Sequence, residues 1–157
     1  MKLGEYMARK GKKIEYDVAL IHPVTFFNME YNYFNMGLLY MGTILQKGGY
    51  RVKCLDGIEL FHTPLDDIKK IFTEHGAKIA GFYTISDNIN AVAKMAQDIK
   101  EWAPETTVVV GGPLATSLGE KMLENPHFDI SATGEGEITF PQLVEWKIKN
   151  KGRLSDI

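Results

Sequence analysis

The sequence predicts an alternating α/β domain with a buried parallel sheet and helices on both of its faces. Two observations carry this prediction. Five short runs are nearly continuous in apolar residues, many of them β-branched, which is typical of strands buried on both faces of a parallel sheet. Segments with apolar residues at helical spacing separate these runs. Strands that alternate with helices in this way predict a doubly wound architecture.

The five predicted strands are DVALI (17–21), RVKCL (51–55), KIAGFY (78–83), TTVVV (106–110) and FDISA (128–132). For a doubly wound sheet of five strands, the flavodoxin-like strand order 2-1-3-4-5 is the leading candidate. The chain has 157 residues, which is enough for one such domain with one ordinary hydrophobic core.

Three of the predicted helices carry a continuous apolar stripe, as expected of helices that pack one side against a sheet. The stripes are Leu65, Ile68, Ile71 and Phe72; then Val92, Met95, Ala96, Ile99 and Trp102; and finally Phe140, Leu143, Val144 and Ile148.

Local signals predict where several helices begin and end. One helix is expected to start near Asn35 and to stop at Gly48-Gly49. Thr63-Pro64 predicts another start, with threonine as the N-cap and proline at the first helical position. Ser117, followed three residues later by Glu120, predicts a capping box.

Composition excludes several classes of function. The formal net charge of -2 gives no indication of a basic face, which argues against nucleic acid as the main partner. The chain has no apolar stretch long enough for a membrane span and no signal peptide, so we expect no membrane partner. A single cysteine, Cys54, cannot form an internal disulfide and fits a reducing, cytoplasmic location.

The chain divides into three expected parts. Residues 1–15 form a polar N-terminal lead that includes a short basic cluster, and residues 16–150 form the α/β domain. Residues 151–157 are polar and lack a capping element, so we expect them to begin a linker to a further domain that this chain does not contain.

Candidate binding residues follow the predicted strands, because ligands of open α/β sheets bind beyond the carboxyl ends of the strands. Glycines and small hydroxyl side chains concentrate there, and helix N-termini at this edge offer N–H groups to phosphate or amide oxygens. Together they predict a groove in which a ligand touches the backbone. The candidates are Thr84, Ile85 and Ser86; Gly111, Gly112 and Pro113; and Gly134, Glu135 and Gly136.

Each candidate also has a purely structural interpretation. Gly111-Gly112-Pro113 suits a tight turn from strand to helix, and Ser86 and Asp87 suit N-caps. Glu135 and Glu137 stand where a helix begins, and the helix dipole favours acidic side chains there. The binding interpretation depends on all these features meeting at one edge of the sheet.

Missing motifs exclude several familiar sites. No glycine loop is followed by Gly-Lys-Ser/Thr, so a P-loop is absent, and the dinucleotide fingerprint is absent after the first strand. The four histidines are scattered and the single cysteine is not enough for a zinc site. No serine or cysteine nucleophile lies in a recognisable elbow.

Four segments carry a resemblance to a known family. They are NMGLLYMGTILQKGGYRVKCLD (35–56), KIAGFYTISDNI (78–89), TTVVVGGPLAT (106–116) and FDISATGEGEITFPQLV (128–144). Together they resemble the cobalamin-binding domain that precedes the catalytic barrel in many radical S-adenosylmethionine enzymes. The likeness covers roughly residues 16–150. Its most specific part is the pairing of Gly-Gly-Pro with Gly-Glu-Gly-Glu one β–α unit later.

The resemblance implies a corrinoid groove at the edge already identified. The nucleotide tail of cobalamin would enter between sheet and helices, lined by the loops at 84–86, 111–112 and 134–136. Gly134 and Gly136 would give the ligand room, and Glu135 would accept hydrogen bonds from the ligand or the backbone. We assign Glu137 to the helix start instead.

The resemblance also implies a parent enzyme. The chain would present methylcobalamin to a C-terminal radical S-adenosylmethionine domain, for methyl transfer, and would not be catalytic alone. That chemistry needs three cysteines to hold a [4Fe–4S] cluster. With Cys54 alone, this chain cannot hold one, so the cluster and S-adenosylmethionine would belong to the absent domain.

The sequence departs from one motif of cobalamin carriers. Carriers that bind cobalt through histidine show Asp-x-His-x-x-Gly after the first strand, whereas here His22 has Leu20 and Thr25 at the corresponding positions. We therefore expect His22 to be structural and the corrinoid to bind base-off without a histidine ligand. The aromatic segment 26–34 is expected either to cover the cobalt face or to pack against the domain itself or a neighbouring domain.

Two other functions stay open at this point. A degenerate domain would keep the fold, bind no corrinoid and serve docking or substrate recognition. A flavodoxin-like nucleotide binder is the weaker possibility, because only the glycines support a phosphate site.

Overall fold

The computed structural model describes residues 15–23 and 35–157, and its centre is a sheet of five parallel strands. The strand order is β2-β1-β3-β4-β5, which confirms the predicted order. Every neighbouring pair is parallel. The strands are β1 (Val18–His22), β2 (Val52–Asp56), β3 (Ile79–Tyr83), β4 (Thr107–Gly111) and β5 (Ile130–Ser131).

Helices connect the strands and cover both faces of the sheet. The α-helices are α1 (Met36–Lys47), α2 (Gly57–His62), α3 (Leu65–Thr73), α4 (Ile89–Trp102), α5 (Pro113–Leu118) and α6 (Gly136–Lys149). Two short 3₁₀ helices follow α5 and α6, at Gly119–Glu124 and Leu154–Asp156.

Successive residues of each strand point to opposite faces of the sheet, and this alternation builds two apolar cores. On β3, Ala80 and Phe82 belong to the core beneath α3 and α4, whereas Ile79 belongs to the core beneath α1 and α6. We refer to these as the α3/α4 face and the α1/α6 face. On β4, Val108 lies on the α3/α4 face and Val109 on the α1/α6 face.

The predicted helical stripes are the faces that the helices bury. The buried residues are Ile68, Ile71 and Phe72 on α3; Val92, Ala96 and Ile99 on α4; and Phe140, Leu143 and Val144 on α6. The first residue of one stripe is an exception, because Leu65 at the start of α3 is 59% exposed.

The predicted ends of α1 are confirmed. Asn35 is the N-cap, and its Oδ1 accepts a hydrogen bond of 2.9 Å from the backbone N–H of Leu38. Gly48 is the C-cap, and Gly49 follows it in the left-handed region at φ +87°. A residue with a side chain would be strained there, so glycine stops the helix.

Two other predicted helix starts are wrong. Thr63 does not cap α3; its hydroxyl donates to the carbonyl of Glu59 and so completes α2, a helix that the sequence analysis does not predict. Ser117 lies inside α5 rather than at a helix start, and Gly119, with φ +57°, ends that helix before Glu120. In both places a short helix ends where a longer one is predicted to begin.

Among residues 15–23 and 35–157, no helix combines the length and apolar character needed to span a membrane.

A cavity at the carboxyl edge of the sheet

A cavity of about 580 Å³ lies on the α1/α6 face, where the strands reach their carboxyl ends. Strands β1, β3 and β4 contribute its floor, and α1, α6 and two glycine-rich loops contribute its walls. The residues that line it are Leu20, Gly37, Leu38, Met41, Gly81, Phe82, Tyr83, Val109, Gly111, Gly112, Pro113, Thr116, Ala132, Gly134, Glu135, Gly136, Glu137 and Phe140.

Six of the nine candidate binding residues line this cavity. They come from the loop after β4 and the loop after β5, and they are Gly111, Gly112, Pro113, Gly134, Glu135 and Gly136. Because the two loops follow neighbouring strands, the parallel sheet brings them to the same edge.

The other three candidates, Thr84, Ile85 and Ser86, do not line the cavity. Thr84 is fully buried, and its backbone N–H and its hydroxyl both donate to the carbonyl of Gly111, each at 2.7 Å. Its own carbonyl accepts from the N–H of Leu114 at 3.1 Å. The loop after β3 therefore fixes the position of the loop after β4.

Gly112 has no room for a side chain. Its φ is +96°, and an added Cβ would lie 3.0 Å from the carbonyl oxygen of Thr84 and 3.1 Å from Cδ2 of Tyr83. The close approach of two loops therefore requires glycine here. The result is a strip of exposed backbone along the cavity wall.

The loop Gly134-Glu135-Gly136 turns the chain from β5 into α6. Gly134 has φ +76°, and its N–H donates to the hydroxyl of Thr116 at 3.1 Å. Gly136 is the first residue of α6, and an added Cβ there would lie 3.0 Å from Cε of Met41. Glycine thus serves the turn at one position and the packing of α1 against the start of α6 at the other.

The two glutamates of this loop have different environments. Glu135 is exposed at the N-cap position of α6, and its side chain makes no capping hydrogen bond. Its carboxylate is free to meet a ligand at the cavity mouth. Glu137 lies in the first turn of α6, as predicted, where the helix dipole favours a negative charge.

The floor of the cavity contains residues that the sequence analysis does not select as binding residues. Gly81 lies in the middle of β3, and an added Cβ would come within 2.7 Å of Cζ of Phe140 and 3.1 Å of Cδ2 of Leu20. The Phe140 ring therefore packs directly on the strand. The signal for this site was a lone glycine inside an apolar run, which often marks close approach to the backbone.

A buried carboxylate, Asp56, accepts hydrogen bonds from three segments of the chain at this edge. It accepts hydrogen bonds from Nδ1 of His22 at 2.9 Å, from the N–H of Asn35 at 2.5 Å and from the N–H of Gly57 at 2.8 Å. The His22 ring also meets Tyr83 edge to face, with 5.1 Å between ring centres. Asp56 thus joins the end of β1 to the starts of α1 and α2.

Asn88 is a second buried polar residue that connects separate segments by hydrogen bonds, and it is not among the residues predicted from the sequence. It is 1% exposed, and its Nδ2 donates to the carbonyls of Pro23 at 3.1 Å and Tyr83 at 3.0 Å. Its Oδ1 accepts from the N–H of Ile85 at 2.9 Å. One amide therefore holds the ends of β1 and β3 together.

Within the described ranges, no three histidine, cysteine, aspartate or glutamate side chains are grouped as metal ligands. Burial raises the pKa of the Cys54 thiol. Its sulfur packs against Gly42 of α1, where an added Cβ would lie 2.8 Å away. The predicted cover of aromatic residues at 26–34 falls outside the described residues.

Comparison with known proteins identifies a family and two groups of relatives. The profile of the B12 binding domain matches residues 23–144. The chain is 30% identical over 141 residues to the cytidylyl-2-hydroxyethylphosphonate methyltransferase of Streptomyces wedmorensis, in an alignment that covers 77% of this chain and 25% of that protein. It is 34% identical over 122 residues to an uncharacterized methyltransferase of Pyrococcus horikoshii, with 75% and 25% covered. The chain thus spans about a quarter of the length of these curated relatives.

Solved structures share the fold at lower identity. The cobalamin-dependent S-adenosylmethionine radical enzyme OxsB, with aqua-cobalamin and S-adenosylmethionine bound, superposes with a TM-score of 0.71 at 18% identity, over 89% of this chain and 20% of OxsB. The radical S-adenosylmethionine methyltransferase TsrM from Kitasatospora setae gives a TM-score of 0.71 at 15% identity, over 90% of this chain and 27% of TsrM.

Proposed function

The chain belongs to the family of B12-binding domains, and on that premise we propose that it binds cobalamin in the cavity at the carboxyl edge of its sheet. The observation that carries the proposal is the pair of glycine loops, 111–113 and 134–136, that expose backbone along one cavity. Gly111 supports it most directly, because it lines the cavity although its φ is not positive and an added Cβ would meet no atom closer than 3.8 Å, so neither backbone strain nor packing requires glycine there.

The lining residues fit a large ligand that is partly apolar and rich in amide groups. The backbone at Gly111 and Gly112 would contact the ligand closely. The free N–H groups in the first turn of α6 suit its phosphate and amide oxygens. Thr116, whose hydroxyl oxygen already accepts from Gly134, keeps its proton to donate. Thr84 to Ser86 would act indirectly, by holding the loop at Gly111 in place.

We propose that no histidine of this domain binds the cobalt, so that the cofactor is held base-off. The support is that the carrier motif is missing and that His22 does not line the cavity. Bound cobalamin would supply a transferable methyl group. The residues of this chain would bind and orient it.

The activity of the whole protein extends this proposal beyond the chain. Its curated relatives are named as methyltransferases and are about four times longer than the matched part. OxsB and TsrM are likewise larger chains, and both are named as radical S-adenosylmethionine enzymes. We propose that residues 151–157 lead into such a domain, which would hold the [4Fe–4S] cluster and S-adenosylmethionine and transfer the methyl group.

The first experiment titrates the purified chain with hydroxocobalamin and methylcobalamin and records the visible spectrum. We expect saturable binding and a base-off spectrum. The matched variants are Gly134→Leu and Gly76→Leu. Both glycines have nearly the same positive φ, +76° and +78°, and no atom within 4 Å of an added Cβ, so the strain of substitution is the same. Only Gly134 lines the cavity.

We expect Gly134→Leu to weaken corrinoid binding at least tenfold and Gly76→Leu to leave it unchanged. Equal effects of the two variants on corrinoid affinity would show that the corrinoid does not bind in this cavity. A base-off shift that disappears in His22→Ala would mean that the first loop does contribute a ligand. If no corrinoid binds or raises the melting temperature, the chain is a degenerate domain that serves docking or recognition.

A further inference from the structure

The buried floor of the cavity has no polar side chain. Six lining residues are buried and none has a polar side chain; one of them, Phe82, has its ring on the opposite, α3/α4 face. They are Leu20, Leu38, Gly81, Phe82, Val109 and Phe140. A ligand that reaches this floor therefore meets no side-chain hydrogen-bond donor or acceptor among the lining residues that the structure describes.

The backbone of the floor is already paired. Strands β1, β3 and β4 are internal strands of the sheet, so each has a neighbour on both sides. Gly81 is in register with Leu20 on one side and with Val109 on the other. The backbone N–H and C=O groups of these strands form hydrogen bonds with the neighbouring strands, so they are not available to a ligand.

The polar side chains of the cavity lie where solvent reaches them. Thr116, Glu135 and Glu137 are exposed, and Tyr83 is half-buried. The cavity therefore has a polar mouth and an apolar floor. A ligand suited to it carries its polar groups near the loops and an apolar group at its deep end.

Resting on the proposed function, we propose that this cavity selects corrinoids by their lower base, and that it favours an alkyl-substituted benzimidazole over a purine. Natural corrinoids differ mainly in that base, at the end of the nucleotide tail. Dimethylbenzimidazole presents methyl groups and fused carbon rings. Adenine has an exocyclic amine and additional ring nitrogens, which the floor would leave without partners.

The size of the discrimination follows from the cost of unpaired polar groups. A site rejects a ligand whose buried donors or acceptors it cannot pair. One such group typically changes affinity by about ten- to a hundredfold. The ring nitrogen that both bases share does not contribute to the difference.

The test compares three corrinoids on the 157-residue chain by spectroscopic titration: cobalamin, the cobamide with adenine as lower base, and cobinamide, which lacks the nucleotide. We expect cobalamin to bind at least tenfold more tightly than the adenine cobamide. Equal affinity for these two would overturn the selection while leaving the proposed function standing. Failure of all three to bind would instead overturn the proposed function, and this inference with it.

Two isosteric variants locate the selection at the floor. Val109→Thr adds a hydroxyl to the cavity side of β4, and Val108→Thr adds the same group to the same strand on the α3/α4 face. We expect Val109→Thr to narrow the preference for cobalamin severalfold and Val108→Thr to preserve it. Should both variants keep the wild-type preference, the base does not reach the floor and the inference fails. The wild-type comparison decides the matter even if a variant does not fold.

Discussion

The two faces of the sheet use alternate residues of the same strands, and the cavity at the carboxyl edge lies on one of them, the α1/α6 face. On the α3/α4 face, Phe82 is packed beneath helices and is 3% exposed. On the α1/α6 face, the preceding residue is Gly81, and the space above it is shared by one ring, Phe140, and the cavity. The neighbouring positions on β1 follow the same division, with Ile21 on the first face and Leu20 on the second.

This difference shows how a fold can be stable and still keep space for a ligand. The α3/α4 face contains the larger cluster of buried residues, including the stripes of α3 and α4. On the α1/α6 face, Leu45 and Val144 are fully buried, and the cavity lies where the strands end. The residues that stabilise the fold thus lie on a different face of the sheet from the cavity, or at a different distance along the strands.

The largest test of this comparison substitutes two adjacent residues of β1. Ile21 is 0% exposed and Leu20 is 3% exposed, and they differ mainly in the face to which they point. Truncating a buried leucine or isoleucine to alanine costs roughly 2–5 kcal/mol, depending on the cavity that remains. We expect the loss of folding stability to lie near the upper end of this range for Ile21→Ala and near the lower end for Leu20→Ala, because Leu20 already borders an open space.

Urea denaturation with a common slope would measure both changes. Equal losses, or a larger loss for Leu20→Ala, would show that the cavity side is as tightly packed as the other face.

A smaller effect is expected when the open face is filled. Gly81→Ala would place a Cβ 2.7 Å from Phe140 and 3.1 Å from Leu20, and overpacking of this kind costs about 1–3 kcal/mol. The double variant Gly81→Ala/Phe140→Leu removes the ring atom in conflict. It should recover part of that loss, which thermal unfolding of the single and double variants would reveal. A fully stable Gly81→Ala protein would mean that Phe140 moves freely into the cavity.

The smallest effect concerns the amino edge, which both faces share. Asp17 precedes β1 and binds the guanidinium of Arg51, which also contacts Glu15. The hydrogen bond from the Arg51 side chain lowers the pKa of Asp17. A carboxylate whose pKa is lowered in the folded state stabilises the fold above its unfolded pKa of about 3.9, and this stabilisation is lost as pH falls through the lower, folded pKa.

Asp17→Asn should therefore lower stability at neutral pH by less than about 1 kcal/mol, because half of the Arg51 side chain is exposed. The difference from the parent protein should shrink below about pH 4. A constant difference down to pH 2 would show that the hydrogen bonds, rather than the charge, stabilise this edge. Corrinoid binding, at the opposite edge, should not change.

The sequence predicts the two faces better than it predicts their difference. The five strands are readily found, because continuous apolar runs such as TTVVV have few alternatives in a folded chain. The last strand is shorter than its run, since only Ile130–Ser131 pair with β4. Helix starts at Thr63 and Ser117 are wrong because each residue serves the preceding short helix instead.

The candidate site is predicted unevenly for a related physical reason. Glycine loops are visible as a local pattern, and six of their residues line the cavity. Gly81 and Phe140 are 59 residues apart in sequence, and only the packing of α6 on β3 brings them together. Asp56 and Asn88 are also invisible locally, because their importance depends on hydrogen-bond partners in other segments.

The carboxylate of Asp56 has a consequence for how this domain tolerates change. It contacts His22 on one side and Asn35 on the other, so the chain leaves and re-enters the sheet edge at two anchored points. Loss of this one carboxylate would leave the ring nitrogen of His22 and the N–H groups of Asn35 and Gly57 without their acceptor, so a single substitution would loosen three elements at once.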